Sequence, residues 1–212
     1  MKFTAVVALY ATAVQATDYF FTYDGGNQIT NGQRLRGNNS VDYYSPGVTL
    51  PPYNSEDHFQ RISTNLTTCA GPQNPGTLQV VPTHPHPPPV PGYYALSDKE
   101  KVGDAYRLVY TYHADDAAES VKYKSWKLHT VGNGSRKDLA SLSFEGEGLN
   151  TGDWTWVARK EVSGGFEKWV PWYVKTSRFP SILTEWELVK VDLRLITAKG
   201  PVNSNAPGGV QE

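Results

Sequence analysis

Glu145 and Glu147, in Phe144-Glu145-Gly146-Glu147-Gly148, are two carboxylates at a spacing that suits acid–base work. On a continuing strand they point to one face with Cα atoms roughly 6.7 Å apart. That falls inside the window of about 5–9.5 Å over which glycosidases hold their acid and their base or nucleophile. The flanking glycines mark a strand end, and no E-x-D-x-x-E run surrounds the pair, so two solvated charges are the competing reading. His84 and His86 are two imidazoles close enough to share an ion, and His58 or His113 would have to complete the set. The prolines around them favour a solvated loop, so neither a metal nor a cofactor is expected. No G-x-S-x-G, H-E-x-x-H, phosphate loop or dinucleotide fingerprint occurs. Cys69 is the only cysteine, which rules out an internal disulfide and reads as a buried filler, a free thiol or an intermolecular bridge.

Aromatic side chains are the other chemistry-bearing group. Trp154 to Val174 carries four of the six tryptophans. Sugar rings have apolar faces that stack on indoles and phenols, so Trp154, Trp156, Trp169, Trp172 and Tyr173 are candidate ligand-binding residues, with Trp126 behind them. Core packing is the alternative. Alternation places Trp154, Trp156 and Ala158 on one strand face, opposite Thr155, Val157 and Arg159. After Gly164-Gly165, Trp169 and Tyr173 share a face opposite Val170, Trp172 and Val174. Two such strands around a Gly-Gly turn predict a β-hairpin.

The rest of the chain must position that hairpin. Its 212 residues are rich in Gly, Pro, Tyr and Trp and hold a single Met, which suits strands and turns. Twenty basic against 21 acidic side chains give a net charge of −1, and 19 against 21 remain if Lys2 is removed with a leader. With no basic surplus to neutralise phosphates, nucleic acid is not an expected partner. Beyond the leader nothing approaches the roughly 18 apolar residues of a membrane span, so no membrane partner is expected either.

Residues 1–16 read as a signal peptide: Lys2 is the positive start, Phe3 to Val14 is mostly apolar, and Val14-Gln15-Ala16 has cleavage-site character. Thr17 would then begin the mature chain. That argues against copper-dependent polysaccharide monooxygenases, which chelate their metal with an N-terminal histidine. Sequons at Asn38, Asn65 and Asn133 predict surface glycans in a eukaryotic host.

Asp18 to Tyr23 predicts a strand, and Val41 to Tyr44 and Val48 to Leu50 two short ones. Ser55 to Leu66 spaces Phe59, Ile62 and Leu66 by three and four, the one moderately helical stretch. Residues 70–92 hold eight of the 15 prolines. They read as a long loop with polyproline II character over His84 to Pro91, without a central strand. Strands follow at Tyr93 to Ala95, Ala105 to His113, Val121 to Val131, Leu139 to Phe144 and Trp186 to Thr197. The expected architecture is an all-β antiparallel β-sandwich of jelly-roll type over residues 17–199, with that Pro-rich loop and a disordered tail at 200–212.

Three segments, Gly103-Asp104-Ala105-Tyr106-Arg107-Leu108, Asn150-Thr151-Gly152-Asp153-Trp154 and Trp186 to Ile196, follow one another in an order that resembles the galactose-binding-like jelly rolls of extracellular carbohydrate-binding modules. The resemblance spans about residues 93–197. It departs from that family in the closing strand, where Asp192 stands alone for the usual acidic pair. It implies a secreted, non-catalytic protein that recognises extracellular or cell-wall polysaccharide through aromatic side chains. A polysaccharide-active hydrolase or lyase using Glu145 or Glu147 is the alternative. A secreted host-directed interaction protein is another, with the Pro-rich loop and N-terminal segment as its contact surface.

Overall fold

A computed structural model of the protein describes residues 18–38, 46–49, 57–59, 61–63, 73–81, 92–130, 139–146, 148–150, 152–163 and 166–197. The expected leader, the tail, Cys69, His84, His86, Asn65, Asn133 and Glu147 lie outside them, as does the proposed strand at Val41 to Tyr44.

The first half contributes short strands: β1 (Asp18–Asp24), β2 (Arg36–Asn38), β3 (Val48–Thr49), β4 (Asp57–Phe59), β5 (Arg61–Ser63), β6 (Gln73–Gly76) and β7 (Gln79–Val81). Next come β8 (Gly92–Ser97), β9 (Ala105–Thr111), β10 (Val121–Lys122), β11 (Trp126–Thr130) and β12 (Leu139–Phe144). The long pair β13 (Trp154–Ser163) and β14 (Phe166–Lys175) precedes a 3-10 turn at Thr176–Arg178 and helix α1 (Phe179–Glu185). β15 (Leu188–Lys190) and β16 (Asp192–Thr197) close the described chain.

Every pairing is antiparallel, and the strands form an all-β sandwich. One hydrogen-bonded path runs β15-β13-β14-β9-β8-β7-β5-β1-β16-β12-β11-β6, while β2 pairs β4 separately. The path doubles back through the three-residue strands β7 and β5, so that β13, β14, β9 and β8 face β1, β16, β12 and β11 across one core. Tyr19, Phe21, Tyr23, Leu108, Trp126, Leu128, Leu142, Phe144, Trp156, Tyr173, Leu193 and Leu195 fill it.

Two segments that read as single strands change layers midway. Val121 to Val131 breaks at Tyr123-Lys124-Ser125: β10 pairs β8, whereas β11 pairs β12 and β6. Trp186 to Thr197 breaks at Val191, so that β15 pairs β13 while β16 pairs β1 and β12. Period-two alternation survives the second break, since Val191, Leu193 and Leu195 remain buried together, whereas at the first the buried positions shift phase from Tyr123 to Trp126 and Leu128.

Two expectations are corrected, and one element is new. Ser55 to Leu66 is not helical where described but forms β4 and β5, because Ile62 is paired on both sides, with Tyr19 and with Val80. A ladder on two edges outweighs a weak helical spacing. Residues 70–92 are not a continuous loop. They contain β6 and β7, and β7 lies inside the sheet between β5 and β8. The proline rule holds locally, since Pro75 sits in β6, which ends the path, and β7 itself has no proline. Finally, α1 had no expectation. Pro180 stands in its first turn, a position that needs no amide hydrogen and that favours helix entry.

Candidate functional site

The tryptophan hairpin forms in the expected register: Trp154 pairs Lys175, and the last pair, Ser163 with Phe166, leaves only Gly164 and Gly165 between the strands. Its two faces separate as alternation requires. Trp156, Ala158, Trp169 and Tyr173 point into the sandwich, while Val157, Val170, Trp172 and Val174 point out. Both faces are nevertheless covered. Trp156, Trp169, Trp172 and Tyr173 are each at most 4% exposed, so the described side chains of this hairpin form no row of open rings. The inner rings are consumed by the sandwich core, and α1 lies over the outer face with Ile182 against Ala105, Val157, Val174 and Trp172.

The buried rings have polar handles that tie one layer to the other. Trp156 donates its indole N–H to the Leu142 carbonyl at 2.6 Å, and Trp126 donates in the opposite direction to Tyr94 at 3.1 Å. Tyr23 donates to the Trp169 carbonyl at 3.0 Å, and the Tyr173 hydroxyl sits 3.5 Å from both the amide and the carbonyl of Phe144. Burial pushes the Tyr173 phenol up to about 12 and raises Tyr94 strongly; Tyr23 is raised well above its ordinary value by burial and then by the Glu161 charge. Trp154 alone of the expected five is half-buried. It stacks on Tyr173 at 5.7 Å and leans on Tyr106 at 5.4 Å, beside the Lys101 amine over the Tyr106 ring.

Of the candidate carboxylates, Glu145 is ion-paired with Lys127 at 3.7 Å, and Glu147 lies outside the described residues. His113 is exposed, and no three His, Cys, Asp or Glu side chains gather as a metal site among the described residues. Asn38 ends β2, with its side chain outside description.

What the fold does assemble lies on the outer face of β9, β14 and β13, beyond the end of α1. The register sets Arg107 beside Trp172 and Trp172 beside Val157, with Arg159 and Glu161 following on the same face of β13. Arg107 joins Glu100 through Nη1 and reaches Glu161 through Nη2 at 2.7 Å. The other Glu161 oxygen accepts the Trp172 indole N–H at 2.8 Å. Arg159 lays its guanidinium over Trp186 at 3.9 Å and Trp172 at 5.2 Å. Trp186, just past α1, is half-buried and meets Trp172 at 4.9 Å.

Both guanidiniums are thus fixed: Arg107 between two carboxylates and Arg159 by stacking. The Arg159 guanidinium makes no hydrogen bond or ion pair among the described residues. Burial lowers its pKa, Glu161 opposes that shift and Arg107 adds to it; an arginine remains charged regardless. An indole edge bordered by preset N–H donors and carboxylate acceptors can take a ligand with one apolar face and several hydroxyls.

Sequence reasoning placed Arg159 on this face but assigned it no role, and it missed Arg107, Glu161 and Trp186. Their separation along the chain left no local signal except that Arg159 and Glu161 continue the outward alternation of Val157. The chain matches no known protein-family model, and comparisons with curated proteins and with solved structures also return no match. No helix among the described residues is long and apolar enough to cross a membrane.

Proposed function

We propose that this protein is a secreted, non-catalytic carbohydrate-binding β-sandwich that recognises extracellular or cell-wall polysaccharide. The observation that carries the reading is the half-buried Trp186 indole against Arg159 and Trp172, with Trp172 joined to Glu161 and through it to Arg107 and Glu100. A pyranose packs its apolar face on such a ring while its hydroxyls exchange hydrogen bonds with guanidinium and carboxylate. Binding therefore moves from the expected Trp156, Trp169, Trp172 and Tyr173 to the outer face, with Trp172 as buried support. Trp154, also half-buried, is a candidate second contact.

The leader-like residues 1–16 and the three sequons support secretion and glycosylation. The order of motifs resembling galactose-binding-like modules supports the same class. A hydrolase reading has less support, because Glu145 is engaged by Lys127. The test is pull-down of the purified protein on insoluble cellulose, chitin, xylan and β-glucan and on acidic polysaccharide gels. Trp186→Ala is expected to lower retention at least about tenfold while the protein stays folded, at a stability cost of about 1–3 kcal/mol for the lost contacts with Trp172 and Arg159. No retention on any polymer would overturn the proposal.

A further inference from the structure

Resting on that reading, the geometry points to a ligand class: we propose that Arg159 is the anchor for a carboxylate, and that the polysaccharide bound here is an acidic, uronate-containing one. The argument begins from what holds Arg159. Its guanidinium is stacked on Trp186 and Trp172, which fixes the plane of the fork without using any N–H. A stacked guanidinium keeps its donors at its rim, where a planar carboxylate accepts two parallel hydrogen bonds.

The acids that contact this cluster are already committed, and Glu185, exposed at the end of α1, is not paired with Arg159. Glu161 is divided between Arg107 and the Trp172 indole, and Glu100 is on Arg107. Glu167 and Glu187 are both on Lys160, at 3.0 and 3.4 Å. Arg159 is therefore left as a partly desolvated cation that feels the Glu161 charge but has no carboxylate on its fork among the described residues. Such a charge gains more from an incoming carboxylate than a solvated one does, because part of its hydration is already lost. Arg107, with its charge met by two carboxylates, has no such demand. Trp186 borders Arg159 closely enough for one sugar unit to present its ring to the indole and its carboxylate to the fork. A neutral hexose would satisfy the indole and leave the cation unanswered.

The experiment compares polygalacturonate with the same polymer after methyl esterification, alongside neutral xylan and dextran sulfate, using the intact protein. Retention on polygalacturonate is expected to fall roughly tenfold or more on esterification, the worth of one charge-assisted bidentate contact. Arg159→Gln is expected to cause a similar loss. Arg159→Lys should recover only part of it, because an ammonium keeps the charge but not the fork. Esterified and free polymer binding alike would overturn the assignment, and so would stronger binding to dextran sulfate. The ester comparison uses the unaltered protein, so it decides the matter even if Arg159→Gln misfolds. Retention on xylan without discrimination between free and esterified polymer would sink this inference and leave the carbohydrate-binding reading standing. Retention on no polymer would sink both.

Discussion

Trp126 and Trp156 stack across the sandwich interior with ring centroids 6.3 Å apart and planes 13° from parallel, and each sends its indole N–H to the opposite layer. Trp126 belongs to β11 and reaches β8; Trp156 belongs to β13 and reaches β12. The pair shows why this core uses tryptophan and tyrosine where phenylalanine would fill similar space. A ring that also donates a hydrogen bond sets the spacing and the slide of the layers.

Replacing either indole with phenylalanine should therefore cost more than its volume. Trp156→Phe removes the 2.6 Å bond to Leu142. A lost buried hydrogen bond plus the unfilled space predicts about 2–4 kcal/mol of destabilisation. Urea unfolding followed by circular dichroism measures it. The double replacement with Trp126→Phe should be non-additive by about 0.5–1.5 kcal/mol, the usual range for a stacked pair.

Trp169 provides the contrast. Its indole nitrogen is buried with no hydrogen-bond partner among the described residues, although the residue sits in the same core. Phenylalanine there removes an unsatisfied donor, and that gain offsets part of the lost packing. Trp169→Phe should cost less than Trp156→Phe by at least about 1 kcal/mol in the same unfolding assay. Equal costs would show that volume, and not the N–H partner, decides these positions.

Alkaline stability follows from the buried phenols. Tyr23, Tyr94 and Tyr173 are all raised, Tyr173 to about 12. A group whose folded pKa is raised stabilises the fold fully below its unfolded value, near 10, and that contribution fades as pH climbs through the folded value. The protein should thus lose stability steeply above about pH 10. Three of the 13 tyrosines should ionise only as the fold opens, visible as a late, cooperative rise in phenolate absorbance. A smooth titration of every tyrosine around pH 10 would contradict this.

On the acid side, Asp115 works in the opposite sense. Hydrogen bonds from Tyr123 and then from Lys124, at 3.0 Å, hold its carboxyl below the ordinary value of 3.8. A depressed folded pKa contributes stability above the unfolded value and loses it as pH falls through the folded one. A carbon-detected NMR titration should place the Asp115 midpoint below 3.8, and Tyr123→Phe should move it upward. The group is solvent-exposed, so the accompanying stability change is small.

Much of the fold was legible because it rests on local periodicity. β1, β9, β12, β13 and β14 fall where alternation and turn residues place them, and the two faces of the hairpin divide as expected. The interruptions at Tyr123 and Val191 were not legible. Alternation specifies which side chains face the core, and it carries no information about which neighbour the backbone joins. β4, β5 and β7 were missed for a related reason: three-residue strands are stabilised by partners distant in sequence, so their own residues carry little signal.

The candidate site divides along the same line. Composition and pattern by themselves determined an antiparallel β protein with an indole-rich hairpin at its centre. Burial was a tertiary decision. A seven-residue helix folded over the outer face and a second layer closed on the inner one, and together they removed four of the five expected rings from solvent. The same packing brought Arg107, Arg159, Glu161 and Trp186 together from two strands and a helix end. No spacing along the chain could state that proximity, because it arises only when β9, β14 and β13 lie side by side with α1 docked on them.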